Sequence, residues 1–103
     1  MLDKRVSFSG FELEASEQER VNQIIEKYFR KLEEKLKDFQ EIKLKLKKSQ
    51  KGKAFLHEIE GDIIINNKRI SSKYEDFNLY KALSNVFEKM LVEIEHIKKK
   101  LNP

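Results

Sequence analysis

Apolar residues along this chain change their spacing several times, and each change predicts an element. Between Arg5 and Phe8 they alternate, with Val6 and Phe8 on one side and Ser7 on the other, before Gly10; this predicts a short strand. Ser16-Glu17-Gln18-Glu19 reads as a capping box, in which the serine hydroxyl and the Glu19 carboxylate each satisfy a backbone N–H of the other residue. A helix is expected from there. Val21, Ile24, Ile25, Tyr28, Phe29, Leu32 and Leu36 then form one stripe of a 3.6-residue period, carrying that helix to about Lys37.

The period next falls to two. Ile42, Leu44 and Leu46 alternate with Lys43, Lys45 and Lys47, a strand with one buried face and one lysine face. A turn at Ser49-Gln50-Lys51-Gly52 leads into a second strand with Phe55, His57, Ile59, Ile63 and Ile65 on its apolar side. Closing the hairpin with Lys48 opposite Lys53 sets Leu46 against Phe55, Leu44 against His57, Ile42 against Ile59 and Lys43 against Glu58, so that both apolar sets share a face. Asn66-Asn67 suits a turn with positive φ, after which Arg69 to Tyr74 returns as a strand with Ile70 opposite Ile63. Asp76 and Asn78 compete to cap a final helix, whose residues Leu83, Phe87, Met90, Ile94, Ile97 and Leu101 repeat as a heptad seam suited to another helix. The order β-α-β-β-β-α predicts an α+β two-layer sandwich, a four-stranded sheet with both helices on one face, as a single domain over 1–103.

Composition narrows the function. No cysteine is present, so disulfides, thiolate metal sites and thiol nucleophiles are excluded. The longest unbroken apolar run is Ile63-Ile64-Ile65, which predicts neither a membrane span nor a secretory signal; the missing cysteines permit an intracellular setting, and a cytoplasmic location is expected. The net charge of +4 suits a polyanion partner, and three of those four charges arise between Asp38 and Glu75, where nine basic residues meet six acidic ones.

Little else suggests catalysis. His57 lies on the buried side of its strand, His96 near a helix end, and neither has a second histidine at helical or strand spacing to share a metal. Glu58, Glu60 and Asp62 face the lysines of the neighbouring strand and read as the solvated side of a hairpin, and the isolated glycines form no phosphate loop. No catalytic residue, metal, cofactor or small-molecule substrate is expected. The row Lys43, Lys45, Lys47 projects side chains about 7 Å apart, close to the phosphate repeat of a nucleic-acid strand. Lys27, Arg30, Lys31 and Lys35 on the first helix are interleaved with Glu26, Glu33 and Glu34, and Lys98 to Lys100 close the last helix, where cations favour the dipole.

Three segments carry a resemblance. The last helix opens Asn78-Leu79-Tyr80-Lys81-Ala82-Leu83 and continues Glu88-Lys89-Met90-Leu91, the first strand ends in Ser9-Gly10, and the first helix contains Lys27-Tyr28-Phe29-Arg30-Lys31-Leu32. Together with the element order they resemble the short ribosome hibernation promoting factors, the protein Y family. The resemblance implies a protein that binds the decoding region of the small ribosomal subunit, blocks messenger and transfer RNA, and silences translation under stress without performing chemistry. By position it matches family basic sites at Lys27, Lys31, Lys89 and Lys98; with Arg30 on the first helix and the strand row Lys43, Lys45 and Lys47, these are the expected RNA contacts. Val92 and His96 stand where the family commonly has Arg and Lys, which thins the basic patch expected on the last helix. Two other functions remain open: a generic double-stranded RNA-binding module, against which Lys81 is the sole cation opening the last helix, and a protein-interaction domain using the heptad seam.

Overall fold

The computed structural model describes residues 4–36 and 39–101, the last four of these by backbone alone. Its elements are β1 (Val6–Ser9), α1 (Ala15–Lys35), β2 (Glu41–Lys51), β3 (Ala54–Ile65), β4 (Lys68–Asp76) and α2 (Leu79–Leu101), in the expected order. The strands lie side by side as β1-β2-β3-β4. β1 runs parallel to β2, a pairing that needs a crossover, which α1 supplies; the other two pairings are antiparallel.

Both helices cover one face of the sheet. Ile42, Leu44 and Leu46 of β2 and Ile59 and Ile63 of β3 are buried beneath Val21, Ile25 and Leu32 of α1 and Leu83, Phe87, Met90 and Ile94 of α2. The heptad seam is thus shared between the sheet and α1, and it opens to solvent at Ile97. The helices run parallel in a constant register: Tyr28 bonds Glu88, Lys35 pairs with Glu95, and Arg20 lies over the Tyr80 ring, each pair 60 residues apart. Gly61 faces α2 across the core; a Cβ there would come within 2.7 Å of Val86 Cγ1, so the bare backbone lets the helix settle onto the sheet.

Three local expectations are corrected. The first capping box sits two residues earlier than expected: Glu14 is the N-cap, and its backbone N–H donates to the Glu17 carboxylate at 3.2 Å. The β2–β3 turn is Gly52-Lys53 and lies beyond the expected one, with Gly52 at φ +66° as a tight two-residue loop requires. The register therefore slides by four residues, setting Leu46 opposite Ile59, Leu44 opposite Gly61 and Ile42 opposite Ile63. An even slide keeps every side chain on its expected face, so the core survives the change except at Phe55, which is 50% exposed. The β3–β4 turn matches its expectation, with Asn66 and Asn67 at φ +50° and +63° and Ile63 opposite Ile70.

Candidate nucleic-acid interface

Lys27, Arg30 and Lys31 form an exposed stripe on α1. Tyr28 lies beside it: its ring stacks on Phe87, and the ammonium groups of Lys27 and Lys31 sit 5.5 and 5.1 Å from its centroid. The Tyr28 hydroxyl donates to Glu88 Oε1 at 2.8 Å. Burial, seconded by that carboxylate, pushes the phenol above its ordinary value. On the α2 side the stripe is bordered by Glu88 and by Glu95, which pairs with Lys35.

Lys43, Lys45 and Lys47 project from the opposite, uncovered face of the sheet. Register sets them beside Asp62, Glu60 and Glu58 respectively. On the far side of that acidic row, Arg69 lies 3.9 Å from Asp62 and Lys73 lies 3.1 Å from Glu58. The hydrogen bond to Glu58 holds the exposed Lys73 ammonium above its ordinary range. The uncovered face is thus a lattice of alternating sign. Its lysine row keeps the phosphate-like spacing, but the carboxylates of Asp62, Glu60 and Glu58 offset part of the positive charge of all three lysines.

Lys89 stands apart from both groups. Its ammonium donates to the Lys73 carbonyl at 3.0 Å and lies 5.3 Å from the Tyr74 centroid, at the edge formed by β4. It therefore covers a free edge-strand acceptor. The side chain of Lys98 lies outside the described residues. His57 is half-buried with Nδ1 2.9 Å from the Phe77 carbonyl oxygen, and His96 is exposed. Among the described residues no three His, Asp or Glu side chains stand close enough to hold a metal, and no helix is long and apolar enough to cross a membrane.

The residues singled out from sequence thus form two arrays on opposite faces, with Lys89 at one edge. A third cationic feature, Lys48, Lys51 and Lys53, is visible in the sequence as part of the lysine-rich run from Phe39 to Lys53, but its projection beyond the sheet is not. Pairing to β1 ends at Ser9–Lys45 and pairing to β4 ends at His57–Asp76, so residues 49–56 form a two-stranded tip with no third strand on either side, and Lys47 and Lys48 lead into it along an edge that β1 has left. The turn-forming Gly52 was the available signal for it: placing the tight turn at Gly52-Lys53 lengthens the hairpin to this extent.

The family model for sigma 54 modulation protein / S30EA ribosomal protein matches residues 5–102. No curated protein matches the chain. Two solved structures share its fold. A ribosomal subunit interface protein from Coxiella burnetii aligns with TM-score 0.68 at 14% identity, over 91% of this chain and 97% of that one. The Protein Y N-terminal domain of Thermus thermophilus aligns with TM-score 0.55 at 23% identity, over 87% of this chain and 93% of that one.

Proposed function

Because this chain belongs to the sigma 54 modulation protein / S30EA ribosomal protein family, we propose that it binds the small ribosomal subunit in the decoding region. There it blocks messenger and transfer RNA and silences translation under stress, in the cytoplasm and without chemistry of its own. The observation that carries this reading is the extent of the family match, which takes in all six elements of the fold. The neighbouring structures described as a ribosomal subunit interface protein and as Protein Y support it.

The distribution of charge fits such a role. A slab with extents of 50 × 28 × 20 Å presents cations on both broad faces, as a protein held in a groove with RNA walls on two sides requires. Lys27, Arg30 and Lys31 are the contacts of greatest weight in this reading. Lys43, Lys45 and Lys47 contribute less, since Asp62, Glu60 and Glu58 lie beside them. Lys89 contributes where it can exchange the Lys73 carbonyl for a phosphate, and Lys98 extends the α2 contacts.

The test is sedimentation with purified ribosomal subunits, followed by challenge with messenger and transfer RNA. Co-sedimentation with the small subunit, lost as the channel ligands are added, is the expected result. Binding that ignores those ligands, or that follows any duplex RNA equally well, would point to a generic duplex-binding module.

A further inference from the structure

We propose that the free tip of the β2–β3 hairpin is a binding element for single-stranded RNA, with Phe55 stacking on an unpaired base and Lys48, Lys51 and Lys53 neutralising the phosphates beside it. The proposal deepens the ribosome-binding reading by naming an element that touches RNA, but its physical basis is independent of that reading.

Charge is the first observation. Residues 47–56 hold four lysines and no carboxylate, while the remaining residues balance at 18 cations against 18 carboxylates. This segment thus carries a charge equal to the chain's whole net charge of +4, and of its four lysines only Lys47 has a carboxylate, Glu58, directly across from it. At about 3.3 Å per residue, the hairpin reaches roughly 20 Å past the last β1 pairing and roughly 10 Å past the last β4 pairing.

The second observation is Phe55. It continues the apolar side of β3 after Ile63 and Ile59, yet the helices do not extend over it, and it remains 50% exposed. On that same side of the ribbon its partner is Gln50, with Lys48 opposite His57 one step inward. A flat apolar ring at the end of a protrusion, with Lys48 on its own face, Lys53 in the turn and Lys51 on the reverse face, has the parts of a stacking platform, in which the ring meets a base and the cations track the backbone around the tip. Stacking requires an unpaired base, and the narrow, deep major groove of duplex RNA does not admit side chains, which favours a single strand or loop.

The chain contains no tryptophan, so Phe55→Trp places a single reporter at the tip. Titrating this variant with a single-stranded oligoadenylate should quench its emission, and a duplex of equal length should not. Small ribosomal subunits should quench it as well. Phe55→Leu should weaken binding of the oligoadenylate by about ten- to a hundredfold. The triple variant K48Q/K51Q/K53Q should lower the log–log salt slope by about two. All four side chains are exposed, so the parental melting temperature should be kept, and far-UV circular dichroism checks the fold. Unchanged emission while the variant co-sediments with small subunits would overturn the hairpin proposal and leave the ribosome-binding reading standing. Quenching by oligoadenylate without any ribosome binding would do the reverse. Equal quenching by polyglutamate would also overturn it, since that is attraction to any polyanion.

Discussion

Tyr28 of α1 and Phe87 of α2 lie face to face, with ring centroids 5.0 Å apart and planes inclined by 2°. The stack joins the core to the surface, because Phe87 is fully buried while Tyr28 ends in a hydroxyl bonded to Glu88 and lies under the ammonium groups of Lys27 and Lys31. Aromatic pairs of this kind contribute about 0.5–1.5 kcal/mol beyond the area they bury. The position of the α1 lysines is thus tied to the helix–helix contact.

Tyr28→Phe should keep the stack and remove the bond to Glu88, lowering stability by about 1 kcal/mol near neutral pH. The phenol's folded-state pKa is raised, so its contribution is intact below the unfolded value near 10.0 and is lost as pH rises from there through the folded value. Denaturant unfolding between neutral pH and about pH 11 checks this. The gap between parent and variant should narrow above pH 10.0, and a constant gap would show that Tyr28 titrates alike in both states.

Gly61→Ala should destabilise the fold by about 1–3 kcal/mol, because the new methyl meets Val86 Cγ1 and the Met90 side chain. Removing the Val86 branches should relieve part of the clash. A double-mutant cycle with Val86→Ala should therefore give a loss smaller than the sum of the two single losses, and strict additivity would mean that α2 does not press on this strand.

Leu83→Ala removes a fully buried side chain between helix and sheet and should cost about 2–5 kcal/mol in chemical denaturation. A cost below about 0.5 kcal/mol is a surface value and would refute the packing of α2.

Asn78 caps α2: its Oδ1 accepts from the backbone N–H groups of Tyr80 at 2.9 Å and Lys81 at 3.2 Å. Asp76, the rival cap, instead accepts from the Asn78 N–H at 2.8 Å. Asn78→Ala should accordingly cost about 1 kcal/mol by thermal melting, and Asp76→Ala less.

For ribosome binding, Lys27→Gln with Lys31→Gln should weaken association with the small subunit and flatten the salt slope by between about one and two. Lys43→Gln with Lys45→Gln should do so less, because Asp62 and Glu60 already offset those charges. Equal losses from the two double variants would make the uncovered sheet face a contact of the same weight as α1.

The amino-acid order by itself determined the elements, their sequence and most of the core. Side-chain period depends only on local backbone geometry, so Val21, Ile25 and Leu32, or Ile42, Leu44 and Leu46, could be assigned to a buried face without knowing what covers them. The same parity argument left the β2–β3 register open, since any slide by an even number of residues preserves the faces. Tertiary structure chose the slide: Gly52 takes the positive φ of the tight turn, and Gly61 comes to lie opposite Leu44 where α2 needs bare backbone. The chemistry of the candidate interface divides in the same way. Lysines and their spacing are visible in the chain, but a cation's strength depends on what lies across the next strand and on how far the helices extend. Those long-range placements put Asp62 and Glu60 beside Lys43 and Lys45, drew Lys89 onto the β4 edge, and left Phe55 uncovered at the tip.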